Sequence, residues 1–374
     1  MDFSLTSEQL MLRDSASRYL EESYDFAQYH RSLAAEGHCD ASVWQQFAEF
    51  GWLGIGVPEA LGGLGGDAID AVIVNEALGA ALVVEPYLSG ALLPARLLLQ
   101  LRSADLQREW LEALVAGKQQ MALAYAERDG RGDPGYCAVT ARPAGDGYTL
   151  TGSKQCAFNA PNASHLIVSA DRAPPAGQVS LFVVPVNAPG LTLESYPVMG
   201  GGVAANVRFD EVRVAPECEI EGGSDALEAG IDFAILADSA AALGAMEAVF
   251  RKTLDYVRTR KQFGAPLASY QVLQHRLAEM YLELEQSRSL ILLAAMRTAA
   301  GTADERKLAV SSAKVYVGDA SRLISQQAVQ LHGGIGVTEE LDVGHYFRRL
   351  TAYRLRHGDR EFHLTRAMRY EPLN

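Results

Sequence analysis

The chain has 374 residues, with 33 Lys and Arg against 46 Asp and Glu, so its formal net charge is −13. Hydrophobic residues make up 48% and charged residues 21%, which is typical of a globular protein and excludes a disordered or fibrous chain. The acidic balance argues against a nucleic-acid partner and against docking on an anionic membrane, because both require a basic surface. The acidic net charge is still compatible with one anionic ligand that binds in a locally basic site.

Cysteine usage and the N-terminal sequence predict a cytoplasmic protein. None of the four cysteines forms a CxxC pair, so neither a zinc or redox motif nor a disulfide framework is expected. The first ten residues lack the basic and apolar regions of a secretory signal. No apolar run reaches the ~18 residues of a membrane span.

Proline divides the chain into three segments: residues 1–116 contain three prolines, 117–223 contain nine and 224–374 contain two. Because proline punctuates turns, the middle segment should be rich in strands and the flanking segments helical. In the first segment, Thr6 or Ser7 is a suitable N-cap for an opening helix. The apolar stretch 80–99, broken by prolines and charges, predicts a buried helical region.

The middle segment contains short runs rich in β-branched and aromatic residues, separated by turn residues, which predict a small antiparallel barrel or sandwich. The predicted strands are 148–151, 166–169, 179–184, 191–193 and 207–214. In the third segment, buried-type residues recur every three or four positions and predict one face of a long helix. They are Leu273, Leu277, Met280, Leu284, Ser287, Ile291 and Ala295.

Two motifs in the third segment carry a chemical signal. Arg260, Phe263 and Gly264 follow a predicted helix and precede Gln271. Cations at a helix C-terminus are favourable by themselves, but Arg260 also offers a planar fork to a phosphate or pyrophosphate, and Phe263 can pack on a ring. The second motif, 330–336, has three glycines in four positions after Gln330, more than a helix cap needs, which indicates close approach of backbone to a ligand.

Other nucleotide, metal and hydrolase signatures are missing from the sequence. There is no GxGxxG after a strand, no P-loop, no GxSxG and no HExxH. His357 and His363 are six apart, but solvated surface histidines are the better interpretation, and no metal is expected. The glycine-rich stretch 62–66 is interpreted as a turn rather than as a phosphate cradle.

The two motifs, about 70 residues apart, resemble those of the acyl-CoA dehydrogenase family. Further similarity lies in the opening Phe3-Ser4-Leu5-Thr6-Ser7-Glu8-Gln9, in 51–66, in Gly152-Ser153-Lys154 and in 209–214. Within the family, the chain is most similar to small subunits of pimeloyl-CoA or steroid side-chain type.

The resemblance implies an α+β fold with an N-terminal helical domain (1–116), a middle antiparallel β-barrel (117–223) and a C-terminal four-helix bundle (224–374). It implies FAD bound between subunits and an acyl-CoA substrate. A carboxylate would remove the α-proton of the thioester while the flavin accepts hydride from the β-carbon. Electrons would leave through an electron-transfer flavoprotein.

The catalytic glutamate of the family has no counterpart here. His357 occupies its usual position, and the alternative position on the preceding long helix is Ala234, followed by Ile235. The catalytic base is therefore unknown from the sequence. Asp238, Asp359 and His357 itself are the candidates for an atypical base, since carboxylate and imidazole side chains can both accept a proton.

The flavin-binding residues separate into two groups. Those that family members donate to the neighbouring subunit's FAD match here: Arg260, Phe263, Gln271, Gln330 and Gly334. Those that hold a subunit's own flavin are replaced, by Ala126, Gly132, Cys156 and Phe158.

This asymmetry predicts one half of a heteromeric (α2β2-like) dehydrogenase whose partner is a second acyl-CoA dehydrogenase-like subunit. The alternatives are a self-sufficient homomeric dehydrogenase or oxidase, and a non-catalytic scaffold. The substrate stays open between a bulky acyl group, such as a sterol side chain, and a dicarboxylic one. The arginine-rich segment 345–369, with seven arginines and two acids, is either a solvated or inter-subunit salt-bridging face or a source of polyphosphate contacts.

Overall fold

A computed structural model describes residues 5–174 and 177–371. It confirms the predicted order of a helical, a β and a second helical part. Phe3 and Ser4 of the opening motif lie outside the described residues.

The first part is built from helices, with one π-helical segment at Tyr87–Leu92. Thr6 is the N-cap of the first helix and forms a capping box with Gln9, as the sequence predicts. Within the region 80–99, only Ala80 and residues 87–98 are helical, because an irregular segment containing Pro86 separates two helices. The helices are α1 (Ser7–Ser23), α2 (Phe26–Ala34), α3 (Ala41–Glu49), α4 (Ala68–Ala80), α5 (Leu93–Leu98) and α6 (Ala104–Val115).

The glycine-rich stretch 62–66 is a turn whose amides are used within the chain. The amides of Leu64 and Gly65 donate to the carbonyls of Gly54 and Val57, at 3.1 and 2.8 Å. A Cβ at Gly63 would lie 2.1 Å from the Val57 carbonyl oxygen. These glycines therefore serve close packing of the turn, and their amides are not arranged as a phosphate cradle.

The middle part forms one eight-stranded sheet, and all five predicted strands are present in it. Leu150, Phe182, Val207 and Phe209 pack in its core, each at most 2% exposed. The strands are β1 (Met121–Ala124), β2 (Thr140–Ala144), β3 (Gly147–Phe158), β4 (His165–Asp171), β5 (Val179–Pro185), β6 (Leu191–Pro197), β7 (Val203–Val214) and β8 (Glu219–Ile220).

The sheet is open, so the predicted closed antiparallel barrel is wrong. The strand order is β6-β7-β3-β2-β4-β5-β8, with β1 beside β4. A barrel needs its first and last strands to pair, and within the described residues β6 and β8 do not. The sheet is also mixed, because β1 and β2 both run parallel to β4.

The third part is again helical, and the stripe that begins at Leu273 does mark the buried face of one helix. From Leu277 onward its members are buried, while Leu273 is half-buried near the helix start. The elements are α7 (Gly223–Thr259), β9 (Lys261–Gln262), β10 (Ala265–Pro266), α8 (Gln271–Ala300), α9 (Ala303–His332), α10 (Val343–Tyr353) and α11 (Arg360–Tyr370).

By compactness the chain divides into two units. The helical unit comprises the chain up to His30, residues 68–83 and everything from Ile235 onward; the sheet unit comprises 31–67 and 84–234. Among the described residues, α7 alone is long and apolar enough to cross a membrane. Since 78% of its apolar window is buried inside the protein, α7 has the character of a core helix. All four cysteines are free thiols.

Candidate functional site

The five predicted cofactor residues lie near the ends of α7 and α9 and the start of α8, at one end of the helical unit, which we call the motif end. The ring of Tyr256 on α7 stacks on His332 at the end of α9, with centroids 4.4 Å apart. Arg276 near the start of α8 donates to Gln327 on α9 at 3.2 Å. These contacts bring together the ends of α7 and α9 and the start of α8. Arg260, Phe263, Gln271, Gln330 and Gly334 lie there, and all five are exposed.

Phe263 projects from the turn between β9 and β10 and is 90% exposed. It has a positive φ of 53°, which is uncommon for a bulky residue. The Tyr270 hydroxyl supports this turn, because it lies 3.1 Å from both the Gln262 and the Phe263 carbonyl oxygens. An aromatic ring held outward in this way has the character of an anchor for another molecule.

The glycine turn after α9 presents bare backbone. Gly333 has a φ of 66° and a ψ of −143°, a conformation that glycine adopts without strain. A Cβ at Gly333 or Gly334 would meet no atom within 4 Å. A side chain at 334 would therefore not clash with the rest of the protein. It would, however, prevent close approach of a ligand to the backbone, which explains a glycine at this position.

The positions that would serve a flavin of this chain's own lie in the sheet unit and are filled differently. Cys156 sits at a bulge of β3 with a φ of 50°, and its amide donates to Asn206 at 3.4 Å. The Tyr196 hydroxyl donates to the same Asn206 oxygen at 3.2 Å. Burial, together with Cys156, raises the pKa of Tyr196 to about 12. This surface thus carries a thiol and a tyrosine, while Ala126 and Gly132 supply no hydroxyl.

His357, in the position of the family's glutamate, is bound to a buried carboxylate on α7. Its Nε2 lies 3.2 Å from Asp238 Oδ2, and Arg356 lies 3.6 Å from Oδ1 of the same residue. Burial acts to raise the pKa of Asp238, but the hydrogen bond from His357 and the Arg356 charge outweigh it and hold that pKa well below its usual range. Asp238 is therefore ionised at neutral pH and a weak proton acceptor.

His357 and Asp238 belong to a group of five neighbouring side chains. We call it the slot cluster, because His357 occupies the position of the family's glutamate. Its members are Asp238, Lys314, Tyr353, Arg356 and His357. Lys314 Nζ donates to the Tyr353 carbonyl at 2.5 Å and lies 3.7 Å from the centre of its ring. Burial lowers the pKa of Lys314 to about 7, against the opposing attraction of Asp238. No sequence motif singles out Lys314 or Tyr353, which contact each other across 39 positions of the chain.

The remaining base candidate, Asp359, has a structural role. Its Oδ1 accepts from the Phe362 amide at 2.9 Å and caps the N-terminus of α11. The prediction that His357 and His363 are solvated surface histidines is wrong, because His363 has no exposed surface and the His357 side chain is 9% exposed. His363 Nε2 donates to the His357 carbonyl at 2.8 Å and so is not free to bind a metal. In the described residues no group of three or more His, Cys, Asp or Glu side chains could hold a metal ion.

Most arginines of the segment 345–369 form ion pairs or hydrogen bonds within the helical unit. Arg348 pairs with Glu339 at 2.7 Å, and Arg360 with Asp319 at 3.0 Å. Arg349 donates to the Val83 carbonyl, and Arg366 to Ser311. With Arg356 in the slot cluster, at least five of the segment's seven arginines make contacts within this chain. Inter-subunit salt bridging and polyphosphate contacts stay predictions.

The fold has a helical, a β and a second helical part, and its motif end carries the residues predicted to bind FAD. This combination is that of a flavin-binding dehydrogenase, and comparison with known sequences identifies the family. The acyl-CoA dehydrogenase N-terminal, middle and C-terminal domain models match residues 6–118, 122–212 and 221–370. The human mitochondrial short-chain specific acyl-CoA dehydrogenase is 31% identical over 82% of this chain and 77% of its own length. The chain belongs to the acyl-CoA dehydrogenase family, whose members are flavin-dependent oxidoreductases that bind FAD.

Two solved structures resemble the whole chain. One is a variant of the Tcur3481-Tcur3483 steroid ACAD, with 29% identity, a TM-score of 0.88 and 97% of both chains covered. The other is the ChsE4-ChsE5 complex from Mycobacterium tuberculosis, with 26% identity, a TM-score of 0.91 and 100% of both chains covered.

The motif end fits the family's cofactor. FAD offers a pyrophosphate, which suits the exposed guanidinium of Arg260, and a ring system, which suits the exposed Phe263. The open backbone at Gly334 and the exposed amides of Gln271 and Gln330 add hydrogen-bonding groups on the same surface. The surface at Cys156 offers no comparable set.

Proposed function

We propose that this chain is a subunit of a heteromeric, α2β2-like, FAD-dependent acyl-CoA dehydrogenase that converts an acyl-CoA thioester to the 2-enoyl-CoA. It acts as the partner that does not bear the base. One observation carries the proposal: the five predicted cofactor residues are exposed at the motif end, whereas His357, in the position of the family's base, is bound to Asp238.

In this proposal the chain's own residues bind and orient a cofactor shared with the second subunit. Arg260 holds the pyrophosphate, Phe263 packs against a ring, and Gln271, Gln330 and the Gly334 backbone supply hydrogen bonds. FAD, when bound, supplies the hydride-accepting chemistry. The base that takes the α-proton belongs to the partner subunit, and electrons pass to an electron-transfer flavoprotein.

The two similar structures support a two-chain assembly, since both are named as pairs of different chains. One of them is named a steroid ACAD, which favours a bulky acyl group over a dicarboxylic one as the substrate of this chain. A second subunit without a working base can widen the substrate pocket of the first.

The deciding experiment is expression of the chain alone and together with a candidate partner subunit. We expect the chain alone to lack the flavin absorption band, and co-expression to give a complex with about one FAD for each pair of chains. Stoichiometric FAD and acyl-CoA turnover by the chain alone would establish the homomeric alternative instead. A complex that never binds flavin would favour the scaffold.

Replacing Arg260 by alanine should weaken FAD binding by the complex about 10- to 100-fold, because a charged hydrogen bond to the pyrophosphate is lost. Titration of the apo-complex with FAD measures the effect. The matched control is Arg258→Ala, two residues earlier, where an exposed guanidinium makes only a 3.9 Å contact with Asp255. Equal FAD affinity of the two variants would show that Arg260 does not contact the pyrophosphate.

A further inference from the structure

Two aromatic residues join the halves of the motif end. The Tyr256 hydroxyl donates to the His332 carbonyl at 3.3 Å, and the two rings stack within 26° of parallel. Both residues precede the groups that face outward: Tyr256 lies one helical turn before Arg260, and His332 comes directly before the glycine turn. We call this pair of contacts the aromatic clasp.

On the α9 side, the clasp holds the last residue before a short 3-10 helix, Gly333–Val337, that begins with two exposed glycines. Gly333 and Gly334 have no side chains to anchor them and are exposed. His332 is 5% exposed, and its Nδ1 lies 2.8 Å from the Ala328 carbonyl, so Nδ1 carries the proton and the ring orientation is set. The Gly333 amide donates to the Gln330 and Val329 carbonyls, and the buried Gly336 lies next to His332, so the position of the glycine turn depends in part on what holds His332.

On the α7 side, the same tyrosine supports the turn that ends at Arg260. The Arg260 amide donates to the Tyr256 carbonyl at 2.8 Å, and the Thr259 hydroxyl donates to that carbonyl at 3.2 Å. Tyr256 thus contacts α9 through its side chain and the Arg260 turn through its backbone.

We infer that Tyr256 and His332 are positioning residues that fix the spacing between the Arg260 guanidinium and the Gly334 backbone for a dinucleotide spanning both. This inference rests on the proposed function, because the dinucleotide is the FAD shared with the partner subunit. Neither residue needs to touch FAD. Their contribution is preorganisation, since FAD then finds both contacts at the required separation without ordering the turn.

The test is Tyr256→Phe, which retains the ring stack and removes only the hydroxyl. In the chain alone, amide hydrogen exchange over 333–337 should become faster, because the His332 carbonyl loses its donor. In the complex, the dissociation constant for FAD should rise about 3- to 10-fold, the usual cost of one hydrogen bond. The visible circular dichroism of the bound flavin should change as well.

The matched control is Tyr316→Phe. Tyr316 also joins two helices through its hydroxyl, which donates to Gln286 at 2.6 Å, but it lies on α9 four turns before His332. This variant should leave exchange over 333–337 and FAD affinity unchanged. The thermal midpoints of both variants, measured without FAD, show how much of any effect is general loss of stability.

The outcomes separate this inference from the function on which it rests. If Arg260→Ala weakens FAD binding and Tyr256→Phe does not, the clasp has no positioning role and the inference is wrong. If Arg260→Ala has no effect, the proposed cofactor contact itself fails, whatever the clasp does. A fall in FAD affinity with Tyr316→Phe equal to that with Tyr256→Phe would assign the effect to stability and overturn the inference.

Discussion

Placing a glutamate in the family's catalytic position, by His357→Glu, should destabilise this protein and create no dehydrogenase. The new carboxylate would face Asp238, whose side chain is 14% exposed, in place of a hydrogen-bonding imidazole that is 9% exposed. Removing one partner of a buried pair costs roughly 3–5 kcal/mol, and an opposed like charge adds to that cost. We expect the free energy of unfolding at pH 7, from urea titration, to fall by about that amount.

The control for His357→Glu is His357→Gln, which retains a neutral donor for Asp238. Its loss should be smaller, about 1–2 kcal/mol, because a hydrogen bond replaces the bond from imidazole. Acyl-CoA-dependent reduction of an artificial acceptor by the chain alone should be undetectable for both variants. The expectation would be contradicted by a His357→Glu protein that is as stable as wild type or that turns over acyl-CoA without a partner. Either result would show that the contacts of the slot cluster do not prevent a glutamate at 357 from acting as a base.

Local signals in the sequence predicted much of the fold. Turn residues between β-branched runs placed the five strands, and the stripe from Leu277 to Ala295 placed the buried face of α8. β1 was missed because Met121–Ala124 has no strand-forming residues, and all four are buried by the sheet. The open sheet was missed because closure depends on whether two edge strands meet, which no local pattern records.

The candidate site shows the same division between local and distant information. The cofactor residues can be predicted because each belongs to a contiguous motif, and the structure adds only that all five are exposed. The role of Asp238 has no local signal: the sequence offers it as a candidate base, whereas the structure pairs it with His357, 119 positions later. Sequence separation hides ion pairs of this kind, because only the packing of α7 beside the segment after α10 brings the partners together.

Acid should unfold this protein at a higher pH than protonation of its carboxylates alone would. The cause is a histidine that is buried in neutral form next to the slot cluster. His363 has no exposed surface; its Nε2 donates to the His357 carbonyl, and its Nδ1 lies 3.3 Å from the Ser311 hydroxyl. Burial, with smaller effects from nearby cations, lowers the pKa of His363 to about 3, against its bond to the His357 carbonyl.

The sign of the effect follows from the two protonation states. The unfolded chain binds a proton at this histidine near pH 6.5, whereas the folded chain resists it until about pH 3. The stabilisation is therefore complete above pH 6.5 and is lost as the pH falls from 6.5 toward 3, by up to about 1.4 kcal/mol per pH unit. Over that whole window the loss is roughly 4–5 kcal/mol, a large part of the stability of an ordinary domain.

Urea titrations at pH 7.0, 5.5 and 4.5 measure this slope, and His363→Gln isolates the contribution of one residue. Glutamine retains a donor for the His357 carbonyl but does not titrate, so this variant should be less stable at pH 7 and lose stability less steeply between pH 6.5 and 4.5. The matched control is His275→Gln on α8, where an exposed imidazole is removed without loss of a buried contact. If His363→Gln retains the wild-type slope, the acid sensitivity arises elsewhere, and His332 and His345, whose pKa values burial also lowers, become the residues to replace.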